Sequence, residues 1–353
     1  MKRIVTFAGL ALFAAPLQGE APSALAPSEI VAAAPAGDWV AIAPADLLVM
    51  DLAPDAGGRA RRVVIQLMPP PFSQGWIGNI RKLAVAHWWD GLSINRVQDN
   101  YVVQWGDAEA EDAAQAKRLP AGLARQAEAD YVVRVKWEPI PDPITDAFEA
   151  RPTILAREGF GDEAERPAPP VGYPNPPVPR DSYVKATGFY LGWPLGGERA
   201  PRDRPELPGH VLAEAWPVHC YGMVGVGRNL SPDTGSGAEL YAVIGHAPRH
   251  LDRNIAVVGR VIEGIEHLSS LPRGTGALGF YEQPEQRVRI ASIRLGGEVA
   301  GLPSYQYLST DSESFARYAD ARANRRDAFF IWPAGGADIC NLPVPVRRAG
   351  GGQ

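Results

Sequence analysis

Apolar and polar positions alternate along this chain in short runs separated by turn residues, a period of two that predicts β-strands. Residues 47–52 and 62–67 are two such runs, and the Pro54, Asp55, Gly57 and Gly58 between them predict an antiparallel hairpin. Residues 93–97 and 101–105 flank the polar turn Gln98, Asp99 and Asn100 and predict a second hairpin. In its second arm Val102 and Gln104 share one face, and Val103 and Trp105 share the other. Residues 131–137 alternate in the same way. The period lengthens over residues 73–87, where Trp76, Ile77, Ile80, Leu83, Ala84 and His87 form a helical stripe behind Ser73 as N-cap. A second helix is predicted over residues 311–326, with Phe315, Tyr318, Ala319 and Arg322 on one side and Thr310 or Ser312 as cap. The run Phe329, Phe330, Ile331 and Trp332 is too apolar to leave in water and is expected to pack back on the core.

Composition narrows the picture. The 34 prolines and 37 glycines among 353 residues favour turns and long loops over a helical bundle, and the length allows one large core or two smaller ones. A net charge of -5 offers no electrostatic attraction for nucleic acid or an anionic membrane, and the basic clusters at 59–62 and 322–326 are short and mixed with alanine or acids. Lys2 and Arg3, an apolar stretch over 4–15 and small residues up to Ala21 read as a secretory signal over 1–21, too short to span a bilayer. An Ala-, Pro- and Ser-rich linker over 22–38 would follow it. The expectation is an exported protein with no stable membrane insertion once the signal is cleaved.

The two cysteines, Cys220 and Cys340, form no Cys-x-x-Cys pair, and the six histidines show no metal-ligand spacing, so no metal site is expected. In an oxidising compartment the cysteines can bridge, closing a loop of about 120 residues for a nominal ~4–5 kcal/mol. Whether their Cα atoms come within reach is a tertiary question. Gly274, Gly276 and Gly279 match a dinucleotide-binding glycine pattern, but they follow Pro272 and open no helix, so they read as a turn.

One set of motifs changes the reading. Trp89, Asp90 and Gly91 are followed by Ile94, Asn95, Arg96 and Val97, then Tyr101, then Gln104, Trp105, Gly106 and Asp107. This spacing resembles cyclophilin-type peptidyl-prolyl isomerases. The resemblance continues at Asn79, Ile80 and Leu83 upstream. Downstream it resumes at 221–228, 235–244, 250–261 and 262–268 and closes on a strand over 289–295. It covers roughly half the chain. The fold it implies is mainly β: a cyclophilin-like closed antiparallel β-barrel capped by two helices. The domain would run over 39–300, with a long insertion at about 112–217 and a C-terminal extension over 301–353.

The resemblance also implies a site. Arg96 matches the family's catalytic arginine, and Gln104 the glutamine that hydrogen-bonds substrate backbone. Tyr101, Val102, Tyr241 and Leu251 fall on the proline pocket, and Val226 and Gly227 on backbone contacts to the peptide. Glu239 stands for a glutamine, His250 for an aromatic residue and Ile255 for a histidine. An acidic Glu239 beside Arg96 is expected to pair with it and blunt its action. The implied activity, cis–trans isomerisation of Xaa–Pro bonds in proline-containing peptides and unfolded or partly folded chains, needs no cofactor. Export implies the bacterial periplasm and a role in folding. The competing reading is a catalytically weak or inactive peptide-binding or assembly module on the same fold.

Overall fold

The computed structural model describes residues 24–134, 183–184, 186–199 and 212–350. The signal segment 1–21, the proline-rich stretch at 167–179 and the end of the strand expected over 131–137 lie outside them.

In chain order the strands are β1 (Trp39–Ile42), β2 (Leu47–Leu52), β3 (Arg61–Leu67), β4 (Ser93–Val97) and β5 (Val102–Gly106). Between β5 and the next barrel strand lie β6 (Val133–Arg134), β7 (Ala186–Tyr190), β8 (Trp193–Arg199) and β9 (Leu212–Pro217). There follow β10 (Met223–Val226), β11 (Leu240–Val243), β12 (Val257–Glu263), β13 (Val288–Leu295), β14 (Tyr305–Leu308) and β15 (Val346–Arg348). Eight of them close into an antiparallel barrel in the order β10, β11, β5, β4, β13, β2, β3, β12. Both predicted hairpins are present, β2 against β3 and β4 against β5. Closure removes sheet edges and turns every second side chain inward. Val103 and Trp105 of β5 accordingly have no exposed surface and lie in the main core with Ile94, Val224 and Ile293.

Helix α1 (Pro27–Ala32) lies in the segment expected to be a linker. Pro27 occupies its first turn, where the missing N–H costs nothing, and Ile30 and Ala34 are buried. An alanine-rich run loses little side-chain entropy on ordering, so two apolar anchors suffice to dock it. Helix α2 (Gln74–Val85) carries the predicted stripe from Trp76 to Ala84 into the core, whereas His87 lies past its end, exposed and with a left-handed backbone. Ser73 does stand at its N-cap, but in a left-handed conformation with no capping hydrogen bond from its side chain. A single-turn helix, α3 (Glu266–Ser269), follows β12 and buries Leu268. Helix α4 (Glu313–Ala323) is capped by Ser312, whose hydroxyl accepts the Phe315 N–H at 3.1 Å, and it packs against α1.

Two further sheets accompany the barrel. Strands β6, β9, β8 and β7 form a second sheet, whose Phe189, Trp193, Leu195 and Trp216 join the main core. Strands β1, β14 and β15 form a third. Arg260 of β12 ties the three together. Its guanidinium donates to Gln66 Oε1 at 2.9 Å and to the Gly192 carbonyl at 2.7 Å, and it faces the Trp193 and Tyr307 rings at 4.6 and 5.8 Å. Burial pulls its pKa down to about 10, and no carboxylate pairs with it among the described residues. A disulfide joins Cys220 to Cys340, with Cα atoms 5.0 Å apart, and fastens the extension to the loop before β10.

The apolar run at 329–332 departs from expectation: Phe329 is 84% and Ile331 85% exposed. Its loop is held from within instead. Arg325 pairs with Asp327 at 2.6 Å and lies 4.2 Å above the Phe330 ring. Four consecutive apolar residues have no period that could direct them all to one face.

Candidate functional site

Arg96 reaches solvent because β4 is not regular. Ile94 pairs with Trp105, yet Arg96, two residues on, pairs with Gln104, one residue back. Asn95 is therefore the extra residue of a β-bulge, which resets the alternation of faces. Strict alternation from inward-facing Ile94 would send Arg96 into the core, where an unpaired guanidinium is very costly. The bulge instead turns Arg96 and Gln104 outward together, while Val97 returns to the core opposite Val103.

The groove they face has a volume of about 750 Å³. At one end Tyr101, Val102, Tyr241, Val243, Leu251 and Ile255 form a separate apolar cluster outside the barrel core. Five of these six were identified from sequence, and the structure brings them together. His250 does not line the groove; it is exposed, with its ring stacked on Tyr101 at 6.3 Å. Gly227 lines the groove, but its N–H is donated to the Glu239 carbonyl at 2.8 Å. Val226 does not line it. Its side chain is wholly buried in the barrel and its N–H goes to the Ala256 carbonyl, so neither group is available to a peptide.

The Arg96 guanidinium donates through Nε to the Leu278 carbonyl at 2.8 Å, through one terminal nitrogen to Gln104 Oε1 at 3.1 Å, and through the other to Gln98 Oε1. These use three of its five N–H donors, leaving one on each terminal nitrogen. Its central carbon lies 5.4 Å from the centroid of the Phe280 ring and 5.8 Å from that of Tyr101. Partial burial lowers its pKa, partly offset by Tyr101 and Tyr241, but an arginine so placed stays charged at neutral pH.

Glu239 does not pair with Arg96. Its carboxylate accepts the Asp107 N–H at 2.6 Å and fills the space over Gly106, where a Cβ would fall 2.0 Å from its oxygen. Burial raises its pKa to about 7, against the lowering effect of the Asp107 N–H and of the Gln104 and Asn95 side chains. The carboxylate favours the Gln104 amide with its NH₂ turned toward it, which leaves Oε1 for Arg96.

Leu278 and Phe280 were missed by sequence reasoning. They lie on the turn around Ala277–Gly279, the same glycine-rich stretch that imitates a nucleotide motif. Phe280 forms an isolated antiparallel bridge with Arg96, and Leu278 is 66% exposed at the groove rim. Gly279 has φ +81° and comes so close to Gln98 that a Cβ would fall 2.7 Å from its Cα. The glycine spacing marked a tight turn but not which strand the turn would cover.

A closed eight-stranded antiparallel barrel bearing an outward arginine beside an apolar pocket is the architecture expected of a cyclophilin-like protein. A family profile described as cyclophilin type peptidyl-prolyl cis-trans isomerase/CLD matches residues 75–295, and the chain belongs to that family. Among solved structures it is similar to cyclophilin AquaCyp293 from Hirschia baltica, with 21% identity, TM-score 0.58, and coverage of 88% of this chain and 92% of that one. A Cryptosporidium parvum cyclophilin type peptidyl-prolyl cis-trans isomerase aligns at 9% identity and TM-score 0.35, over 70% of this chain and 97% of that one. The same protein in the presence of the dipeptide Ala-Pro aligns at 9% identity and TM-score 0.33, over 70% and 98%. No curated protein matches the sequence.

Proposed function

We propose that this protein is a peptidyl-prolyl cis–trans isomerase acting on Xaa–Pro bonds of exported polypeptides and assisting their folding. The observation that carries the reading is Arg96: charged, turned into a groove beside an apolar pocket, and paired with no carboxylate among the described residues. An Xaa–Pro bond is held planar by resonance and turns over unaided in tens to hundreds of seconds. In the twisted state the prolyl nitrogen regains a lone pair. A guanidinium N–H aimed at that nitrogen binds the twisted state better than the planar one, and only such differential binding accelerates the step. The cluster of Tyr101, Val102, Tyr241, Leu251 and Ile255 would hold the proline ring, and Gln104 would orient the guanidinium and meet substrate backbone.

Export is supported by the basic and then apolar start of the chain and by the disulfide, which persists in oxidising compartments such as the periplasm. The binding-only reading draws on Leu278 and Phe280, which cover one side of Arg96. Exchange NMR on a short Xaa–Pro peptide separates the two. Acceleration that falls about 100-fold in Arg96→Ala is the expected result. Peptide binding without acceleration would leave the binding module, and acceleration untouched by the substitution would place the chemistry elsewhere.

A further inference from the structure

Behind the pocket floor lies a buried polar chain that isomerisation as described does not use. Tyr241 on β11 stands opposite Gly225 on β10, and a Cβ on Gly225 would fall 2.3 Å from the Tyr241 hydroxyl. Only glycine lets the hydroxyl pass. Beyond it the hydroxyl lies 2.9 Å from His219 Nε2, and the imidazole has no exposed surface. His219 Nδ1 is 3.0 Å from Asp252 Oδ1, which also accepts the His219 backbone N–H at 2.9 Å. Asp252 Oδ2 accepts from Arg249 Nε at 2.6 Å, and Arg249 lies 3.7 Å from Asp338. Asp338 caps its own turn by accepting the Cys340 N–H at 2.8 Å, and Cys340 is bridged to Cys220, the residue after His219.

The directions of these bonds follow from their ends. The Asp252 carboxylate, facing the Arg249 guanidinium, can only accept, so an imidazole carrying a single proton carries it on Nδ1. Nε2 is then a bare acceptor, and the Tyr241 hydroxyl is the donor. The far end of the Tyr241 ring is tethered, whereas a phenylalanine in its place would be held by packing alone. Two routes, one through the disulfide and one through Asp338 and Arg249, lead from the C-terminal extension to the same imidazole.

We propose that His219 and Asp252 are positioning residues of the prolyl site: they fix the Tyr241 ring as the pocket floor, and the extension around Asp338 and Cys340 holds them in place. The proposal rests on the isomerase reading for what the pocket does, not for whether the chain of bonds exists.

The test compares Tyr241→Phe, His219→Leu and their double variant with the parent protein. KM and kcat for an Xaa–Pro peptide come from exchange NMR, the His219 tautomer from imidazole ¹⁵N shifts, and folding from thermal unfolding. His219→Leu is expected to raise KM by about three- to tenfold with a smaller change in kcat, because it loosens the floor rather than the cation. In the Tyr241→Phe background the same substitution is expected to have no further effect. Paired Cys220→Ser and Cys340→Ser substitutions, which leave every pocket side chain in place, should behave likewise with a smaller shift. Equal effects in both backgrounds, or wild-type KM in folded His219→Leu protein, would overturn the proposal, as would an imidazole protonated on Nε2 at neutral pH. If the parent accelerates nothing, the isomerase reading fails on its own and peptide Kd replaces KM. The Tyr241 ring-flip rate still decides the tether, with an increase expected in His219→Leu and no change contradicting it.

Discussion

At the scale of single residues, two of the charged groups that line the groove carry the argument, the Arg96 cation and the concealed Glu239 acid. The Glu239 carboxyl is ordinary at 4.5 and is raised to about 7 by burial. A group whose folded pKa is raised favours the fold in its protonated form. Its contribution is fully present below pH 4.5 and is lost as pH climbs through about 7. At about 1.4 kcal/mol per pH unit the loss approaches about 3 kcal/mol. Glu239→Gln cannot ionise, so the variant is expected to gain stability over the parent progressively between pH 5 and 8, measured by urea unfolding. A gap that does not change with pH would mean that Glu239 is not held in its buried position. Phe280 covers one face of the Arg96 guanidinium. Removing that ring in Phe280→Ala should cost about 1 kcal/mol of cation–π contact and lower kcat/KM roughly fivefold. Its signature is a fall in kcat/KM with the thermal midpoint nearly unchanged, since Phe280 is 39% exposed.

At the scale of elements, the cores of both hairpins and both long helices were legible because each carries a clean period. Residues 47–52 and 62–67 pair as predicted, and the stripe from Trp76 to Ala84 is the buried face of α2. What escaped was irregular. The bulge at Asn95 is invisible to a period-two pattern, because it is a break in that period and its cause lies in pairing with β5. Ser73 has the residue type of a cap but the backbone of a left-handed turn, so its side chain is aimed elsewhere. Ser312 does cap α4. Ser312→Ala is expected to destabilise the protein by about 1 kcal/mol in chemical denaturation without altering isomerisation, because α4 lies outside the groove.

At the scale of the whole molecule, the barrel is joined by two sheets, and one covalent link fastens the C-terminal residues to the loop before β10. The disulfide spans 120 residues in sequence. A loop of that length restricts the unfolded chain strongly, so reduction or the paired serine substitutions should cost about 2–5 kcal/mol of unfolding free energy. Denaturant titration with and without reductant reads it, and a change below about 1 kcal/mol would mean that the extension docks by packing alone. The exposed Phe329 and Ile331 show the limit of reasoning from hydrophobicity. The rule that apolar residues go inside holds on average, and it assigns no single residue its place.

The sequence by itself determined two hairpins and two helices, each through its own local period. Its resemblance to the cyclophilins added the barrel, the positions of Arg96 and Gln104 and five of the six members of the apolar cluster beside them. Only the tertiary structure decided that Arg96 faces outward, that Glu239 turns to Asp107 instead of Arg96, and that Leu278 and Phe280 cover the guanidinium. It also decided that His219 and Asp252 stand behind Tyr241. The first turns on a bulge against the neighbouring strand, which breaks the period, and the others are contacts between segments far apart along the chain, which leave no period for a sequence to carry.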